Sequence, residues 1–382
     1  MTLGPGGPAI PFNRPSFVGR ERQYMDEALA LGHVSGDGAF TRRCHDLLRA
    51  ELGTPSVLLT TSCTHALEMA ALLLDIRPGD EVVVPDFTFV STANAFVLRG
   101  ARPVFADIRS DTLNLDERLL ERHLGPRTRA IVPVHYAGVG CAMGDILAIA
   151  KSRGVAVVED NAHGLFGKRG GRFLGTQGAL ATLSFHETKN FSCGEGGALL
   201  VNDERYVARA EIIREKGTDR KRFFRGEVDK YTWVDLGSSY LPSDLLAAYL
   251  LGQLEQKTAV LAARRRIFAS YREGLAAWAE MEGAALPTIP ADCEPSYHMF
   301  YVVMPTADAR ARLIASLKSR GILAVFHYLP LHLSEMGRRF GGRPGDCPVS
   351  ASVSERLVRL PFYTSFGEAD QRRVIDAVCE FR

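Results

Sequence analysis

At 382 residues the chain exceeds the size at which one hydrophobic core stops growing, so two domains are expected. Hydrophobic residues make up 46% and charged residues 24%, which excludes general disorder, and a formal charge of +2 is too small for bulk nucleic-acid or membrane-surface binding. No stretch reaches the roughly 18 uncharged apolar residues of a membrane span, the opening Leu3-Gly4-Pro5-Gly6-Gly7-Pro8 lacks a secretory pattern, and the seven cysteines form no Cys-x-x-Cys pair; a cytoplasmic protein with reduced thiols is expected.

From about residue 56 to 200, short β-rich runs alternate with helical stretches. Val57 to Leu59 precedes a helix from Ala66 to Leu74, and Glu81 to Val84 precedes one from Ala93 to Leu98. Pro103 to Phe105, Ala130 to Val134, a helix around Ile146 to Lys151 and the run Val155 to Val158 continue the pattern. This rhythm predicts an α/β fold with a mainly parallel sheet. Residues 214 to 242 break it with charged, aromatic and glycine positions and read as a long ordered loop, functional or a solvated surface. A helix from about Ser243 to Gln256, a basic helix through Arg264-Arg265-Arg266 to Trp278, the segment Met299 to Met304, a helix near Arg310 to Ser319, a strand Leu323 to Phe326 and a last helix after Glu368 predict a smaller α+β domain. The division is placed near residue 250, giving a large domain over 1–250 and a small one over 251–382.

Several segments end at the predicted carboxyl edge of the sheet, where open α/β proteins bind ligands. Thr60-Thr61-Ser62-Cys63-Thr64 opens a helix, so its free N–H groups and hydroxyls suit a phosphate or simply cap the helix. Phe89, after Pro85-Asp86-Phe87-Thr88, is placed to stack on a flat ring or to pack in the core. Glu159-Asp160-Asn161-Ala162-His163 follows the run Val155 to Val158, and Ser184-Phe185-His186-Glu187-Thr188-Lys189 precedes the turn Cys193-Gly194-Glu195-Gly196-Gly197. A lysine there is ordinarily a solvated charge, and an acid after a strand ordinarily caps a helix. Converging on one edge, however, an amine and a carboxylate are what pyridoxal phosphate (PLP) requires: a lysine to condense with its aldehyde and an aspartate on its ring nitrogen.

The ordered motifs Thr-Ser-Cys-Thr, Thr88-Phe89, Glu159-Asp160-x-Ala162-His163 and Ser184-Phe185-His186-x-x-Lys189-Asn190 resemble the DegT/DnrJ/EryC1/StrS family of PLP-dependent nucleotide-sugar aminotransferases over nearly the whole chain. The resemblance implies fold type I, the aspartate-aminotransferase-like PLP-dependent transferase fold, with Lys189 as the Schiff-base lysine and Asp160 on the pyridinium nitrogen. It further implies Phe89 and Ala162 flanking the ring, His163 at the ring hydroxyl, and Ser62, Cys63, Thr64 and Ser184 around the phosphate. Where the family carries an asparagine that reaches the partner subunit's phosphate, this chain has Ser239.

Longer stretches, Phe87 to Phe96, Val134 to Gly138, Asp229 to Trp233 and Gly237 to Leu241, are similar to the dTDP-4-amino-4,6-dideoxygalactose transaminase branch. That branch implies dTDP-4-dehydro-6-deoxyglucose and L-glutamate as substrates and a homodimer with shared sites. Arg225, Lys230 and Tyr231 of the long loop, and His327 and Tyr328 of Phe326 to His332, are the substrate-contact candidates. Metal ligation by His327 and His332 is disfavoured, because they lie five apart on a proline-containing loop rather than on one helix face. Same-fold alternatives are a sugar dehydratase, whose relatives carry histidine where this chain has Lys189, and a non-catalytic sugar-nucleotide sensor. No Gly-x-Gly-x-x-Gly supports a nicotinamide dehydrogenase.

Overall fold

The valine run Glu81–Pro85 illustrates how the large sheet is built. Val82 and Val84 pack into one core with Ala66, Leu67 and Met69 of the helix Cys63–Leu73, while Val83 packs with Ile146 and Ala150 of the helix Met143–Arg153. Successive side chains thus enter opposite layers, and both faces of the sheet are covered by helices. The computed structural model describes residues 9–382. The opening glycine- and proline-rich stretch read above, through Pro8, lies outside the described residues.

Seven strands form this sheet in the order Ser56–Thr60, Gly197–Val201, Leu180–Ser184, Ala156–Asp160, Thr128–Ile131, Glu81–Pro85 and Arg102–Ala106. Gly197–Val201 runs antiparallel to both neighbours, and the remaining pairs are parallel. Six strands therefore end at the same edge, and the reversed strand begins there. Thr60, Asp160 and Ser184 share that edge with Gly197.

The strand expected over Ala130 to Val134 is regular only to Ile131. Pro133 has no N–H to donate, although its carbonyl still accepts from Asp160 N at 2.9 Å. Helices not anticipated include Glu21–Ala30, Ala39–Leu52, Val207–Arg214 and Pro348–Arg356. The loop after Arg214 contains one short helix, Arg220–Phe224, and is otherwise irregular. Arg214 anchors its start, donating to Leu59 O and to Asp37 at 2.7 Å each while fully buried.

A second core begins within the helix Lys257–Glu282, whose Val260 packs with Leu48 of the helix Ala39–Leu52 and Leu250 of the helix Asp244–Leu254, and whose Ile267, Tyr271, Leu275 and Trp278 pack with the second core. That core adds the helices Ala307–Ser319 and Glu368–Cys379 and a two-stranded antiparallel sheet of Tyr301–Val303 with Leu357–Arg359. The expected strand Leu323 to Phe326 is not regular. It makes only single bridges, Val325 to Arg359 and the adjacent Ile322 to Ile10, because it lies against the edge of a sheet only two strands wide. Among the described residues no helix is long and apolar enough to cross a membrane.

Candidate active site

Eleven sequence-selected residues meet in one cleft of about 610 Å³ at the carboxyl edge: Ser62, Cys63, Thr64, Phe89, Asp160, Ala162, His163, Ser184, Lys189, His327 and Tyr328. On its floor, Ser62 caps the helix Cys63–Leu73 by accepting from His65 N at 3.1 Å, so the Cys63 and Thr64 amides of the first turn remain without acceptors. Thr64 Oγ1 is 2.8 Å from Ser91 Oγ. Gly197 passes so close that a Cβ there would lie 2.4 Å from Cys63 N, which only glycine tolerates. Burial pushes the Cys63 thiol up, so it is a neutral small side chain in this cradle.

Asp160 closes its strand with both carboxylate oxygens engaged. Oδ2 accepts from Thr92 Oγ1 at 2.7 Å and Oδ1 from the Ala162 amide at 3.2 Å. Burial raises its carboxyl above the usual range, while these bonds and the charge of Lys189 pull it down. Lys189 lies on the connection between Ser184 and Gly197, held by its own N–H to His186 O at 2.9 Å and by Phe185 N to Gly196 O at 2.8 Å. Its side chain is half-buried, and desolvation brings its amine down to about 8 against the opposing pull of Cys63 and Asp160.

His163 stacks on His298 with ring centroids 4.3 Å apart, and His163 Nδ1 is buried without a partner, free for a bound group. Burial holds His163, His298 and His327 well below the usual histidine range, so all three are neutral near pH 7. His298 Nδ1 donates to Asn190 Oδ1 at 3.0 Å, a bond that ties the His163 stack to the residue after Lys189. Above the cleft, Asp86 anchors the roof. Its carboxylate accepts from His332 N and Nδ1 at 2.7 Å each, which fixes the segment carrying Phe326, His327 and Tyr328; Tyr136 Oη then meets His327 Nδ1 at 3.0 Å. His332, Asp86 and Cys347 are buried together, with ligand-capable atoms within 4.8 Å of one another.

Four selected residues do not line this cleft. Ser239 is exposed and bridges Glu215 through its backbone. Arg225 is engaged by Glu211 at 2.9 Å and Glu227 at 2.6 Å, Lys230 is exposed, and Tyr231 packs with Phe223 and Arg220. The loop folds over its own short helix rather than towards the sheet edge. Conversely, the sequence reading passed over Thr92, His298 and Arg359. Thr92 lies four residues after Thr88, bonded to it at 2.9 Å, a helical spacing legible in the sequence. His298 and Arg359 belong to the second core, and no local pattern ties them to residues 160 or 189.

The chemistry of this donor set fits PLP. Free helix N–H groups and hydroxyls suit its phosphate, a buried carboxylate its ring nitrogen, and a depressed amine its aldehyde. Fold and site together define a PLP-dependent enzyme of fold type I. A family model described as the DegT/DnrJ/EryC1/StrS aminotransferase family matches residues 15–379. The chain is 32% identical over 377 residues to the spore coat polysaccharide biosynthesis protein SpsC of Bacillus subtilis (strain 168), covering 97% of this chain and 96% of that one. Among solved structures it is similar to the aminotransferase TlmJ from Streptoalloteichus hindustanus, at 30% identity and TM-score 0.89 over 97% of this chain and 98% of that one. It is also similar to Spr1654 from Streptococcus pneumoniae in its PLP-form, at 25% identity and TM-score 0.89 over 97% of each chain. The chain belongs to the DegT/DnrJ/EryC1/StrS aminotransferase family, and PLP is its cofactor.

Proposed function

We propose that the chain moves the amino group of L-glutamate to C4 of dTDP-4-dehydro-6-deoxyglucose, giving a dTDP-4-amino-4,6-dideoxyhexose and 2-oxoglutarate. The observation that carries the reading is the meeting of a depressed amine, Lys189, and a buried carboxylate, Asp160, in one cleft roofed by His327 and Tyr328. The choice of sugar is supported by the branch-like stretches Phe87 to Phe96 and Asp229 to Trp233. An intact Lys189 speaks against the dehydratase, and an intact Lys189–Asp160 pair against the sensor.

When bound, PLP supplies an aldehyde that condenses with amines and a ring that accepts an electron pair. Ser62, Cys63, Thr64 and Ser184 would hold its phosphate, Asp160 its ring nitrogen, and His163 its ring hydroxyl, with Phe89 and Ala162 on the two ring faces. Lys189 Nζ takes a proton from the α-carbon of glutamate in one half of the cycle and delivers one to sugar C4 in the other. An amine titrating at about 8 leaves roughly a tenth of it neutral at pH 7, ready to act as a base. The segment anchored on Asp86 limits water above the cleft.

In this reading a second copy completes the site. The exposed Phe224 (69%) and Trp233 (76%) give the loop apolar surface for a partner to cover, and Arg225, Lys230, Tyr231 and Ser239 reach the neighbour's ligands from it. The division into units 1–250 and 251–382 is part of the same proposal.

Incubating holoenzyme with L-glutamate and dTDP-4-dehydro-6-deoxyglucose should yield 2-oxoglutarate and an amino sugar whose NMR coupling at C4 gives its configuration. Amination of a different nucleotide sugar instead would reject the substrate, and Lys189→Ala with full turnover would reject the site. Sedimentation showing an active monomer would remove the shared-site dimer.

A further inference from the structure

A second cleft, of about 700 Å³, lies at the outer edge of the large sheet and shares no residue with the active-site cleft. One side is the outermost strand, Arg102–Ala106, which supplies Arg102 and the half-buried Phe105. The 3-10 helix Glu117–His123 adds Arg122 and His123, and the facing wall is the segment from Phe340 to Pro348. Arg102 spans the gap, since a Cβ on Gly341 would lie 3.3 Å from its Nη2.

The charges of this cleft are unusual for their neighbourhood. Arg109 pairs with Asp111 and Glu117, Arg118 with Asp116, Arg127 with Glu81 and Arg129 with Asp80. Neither Arg102 nor Arg122 pairs with a carboxylate among the described residues, and the one bond Arg122 makes is from its Nε to His123 Nε2 at 3.5 Å. The nearby acids are occupied by backbone. Asp107 accepts from Val349 N and Ser350 N at 2.9 Å each, and Asp346, which lines the cleft, accepts from Arg343 N at 2.8 Å.

Two unpaired guanidinium forks on different elements match an anion with two phosphoryl groups. A single phosphate would leave most of about 700 Å³ unfilled, whereas a nucleotide-sized ligand suits it. Phe105 and the half-buried Phe340 supply apolar ring faces beside the cations, as a base or sugar requires. The wall also bears on the active site. Gly342 packs against His332 with no room for a Cβ, and His332 is the residue through which Asp86 fixes the roof.

We propose that this cleft is a second ligand site, which takes a nucleoside diphosphate between Arg102, Arg122 and the Phe340 wall. It lies outside the catalytic machinery and does not depend on the identity of the sugar.

Holoenzyme titrated with dTDP, orthophosphate and thymidine tests it, with binding followed by calorimetry and located by amide hydrogen exchange. dTDP should slow exchange in residues 117–124 and 338–346 at concentrations at which orthophosphate and thymidine leave them unchanged. Arg102→Gln/Arg122→Gln should weaken that binding about 100-fold and Arg122→Gln alone about tenfold. Both side chains are exposed and remote from Lys189, so the glutamate half-reaction without nucleotide should change less than about twofold. Absence of protection in the wild type, or protection that survives in the double variant, overturns the proposal. Orthophosphate acting as well as dTDP overturns it too, because the nucleoside would then add nothing. Protection of 338–346 with none around Ser62 to Thr64 or Tyr328 supports this site and removes dTDP from the active-site reading.

Discussion

Replacing Lys189 with methionine in cofactor-free protein should stabilise the fold at neutral pH. The amine titrates at about 8 in the folded chain against an ordinary 10.5, so its surroundings, with desolvation the largest cause and Cys63 and Asp160 opposing it, disfavour the charged form by the difference of about 2.5 in pKa. Each unit is worth 1.36 kcal/mol, which sets a ceiling of about 3 kcal/mol; partial exposure of the side chain lowers the expectation to about 1–3 kcal/mol. Methionine matches the length of the lysine stem and carries no charge to desolvate. Between pH 8 and 10.5 the unfolded chain binds more protons than the folded one, so wild-type stability rises with pH in that window. The full penalty is present below pH 8 and is lost above about 10.5. The gap between variant and wild type should accordingly be widest at pH 7 and close by pH 10.5. Urea unfolding of both apoproteins at fixed protomer concentration reads this directly. A variant no more stable at pH 7, or a gap independent of pH, would refute the claim that the amine is held in a desolvated, depressed state.

Thr92→Val removes the 2.7 Å bond to Asp160 and should raise its carboxyl further; loss of a hydrogen bond to a charged group predicts a fall in kcat of about 10- to 100-fold, with PLP still bound by its absorbance. Asp160→Asn should cut kcat by about 100-fold or more, because an amide cannot hold a proton on the ring nitrogen; near-wild-type turnover in single-turnover assays would dismiss that role. Gly197→Ala would drive a Cβ to 2.4 Å from the Cys63 backbone, costing about 1–3 kcal/mol in Tm-derived stability and weakening PLP retention on dialysis.

Much of the layout is legible in the chain because it is local. Continuous apolar runs such as Val82-Val83-Val84 and the hydroxyl cap Ser62 before Cys63–Leu73 are set by backbone sterics and near neighbours, so their type follows from the residues themselves. The same holds for Lys189 and Asp160 as candidates, since each follows a recognisable strand. Strand direction is another matter. Gly197–Val201 reads like any other apolar run, and only its pairing with Ser56–Thr60 and Leu180–Ser184 makes it antiparallel.

By itself, then, the sequence determined the α/β rhythm, the motifs at the strand ends and the membership they imply. Tertiary structure decided what meets across long separations: Arg359 and His298 from the second core beside Lys189, Asp86 with His332 under the roof, and the cationic loop turned away from its own cleft. The reason is physical. Periodicity and capping are written over a few consecutive residues, whereas convergence depends on how two cores pack, and the buried charge of Arg359 leaves no trace in its neighbours along the chain.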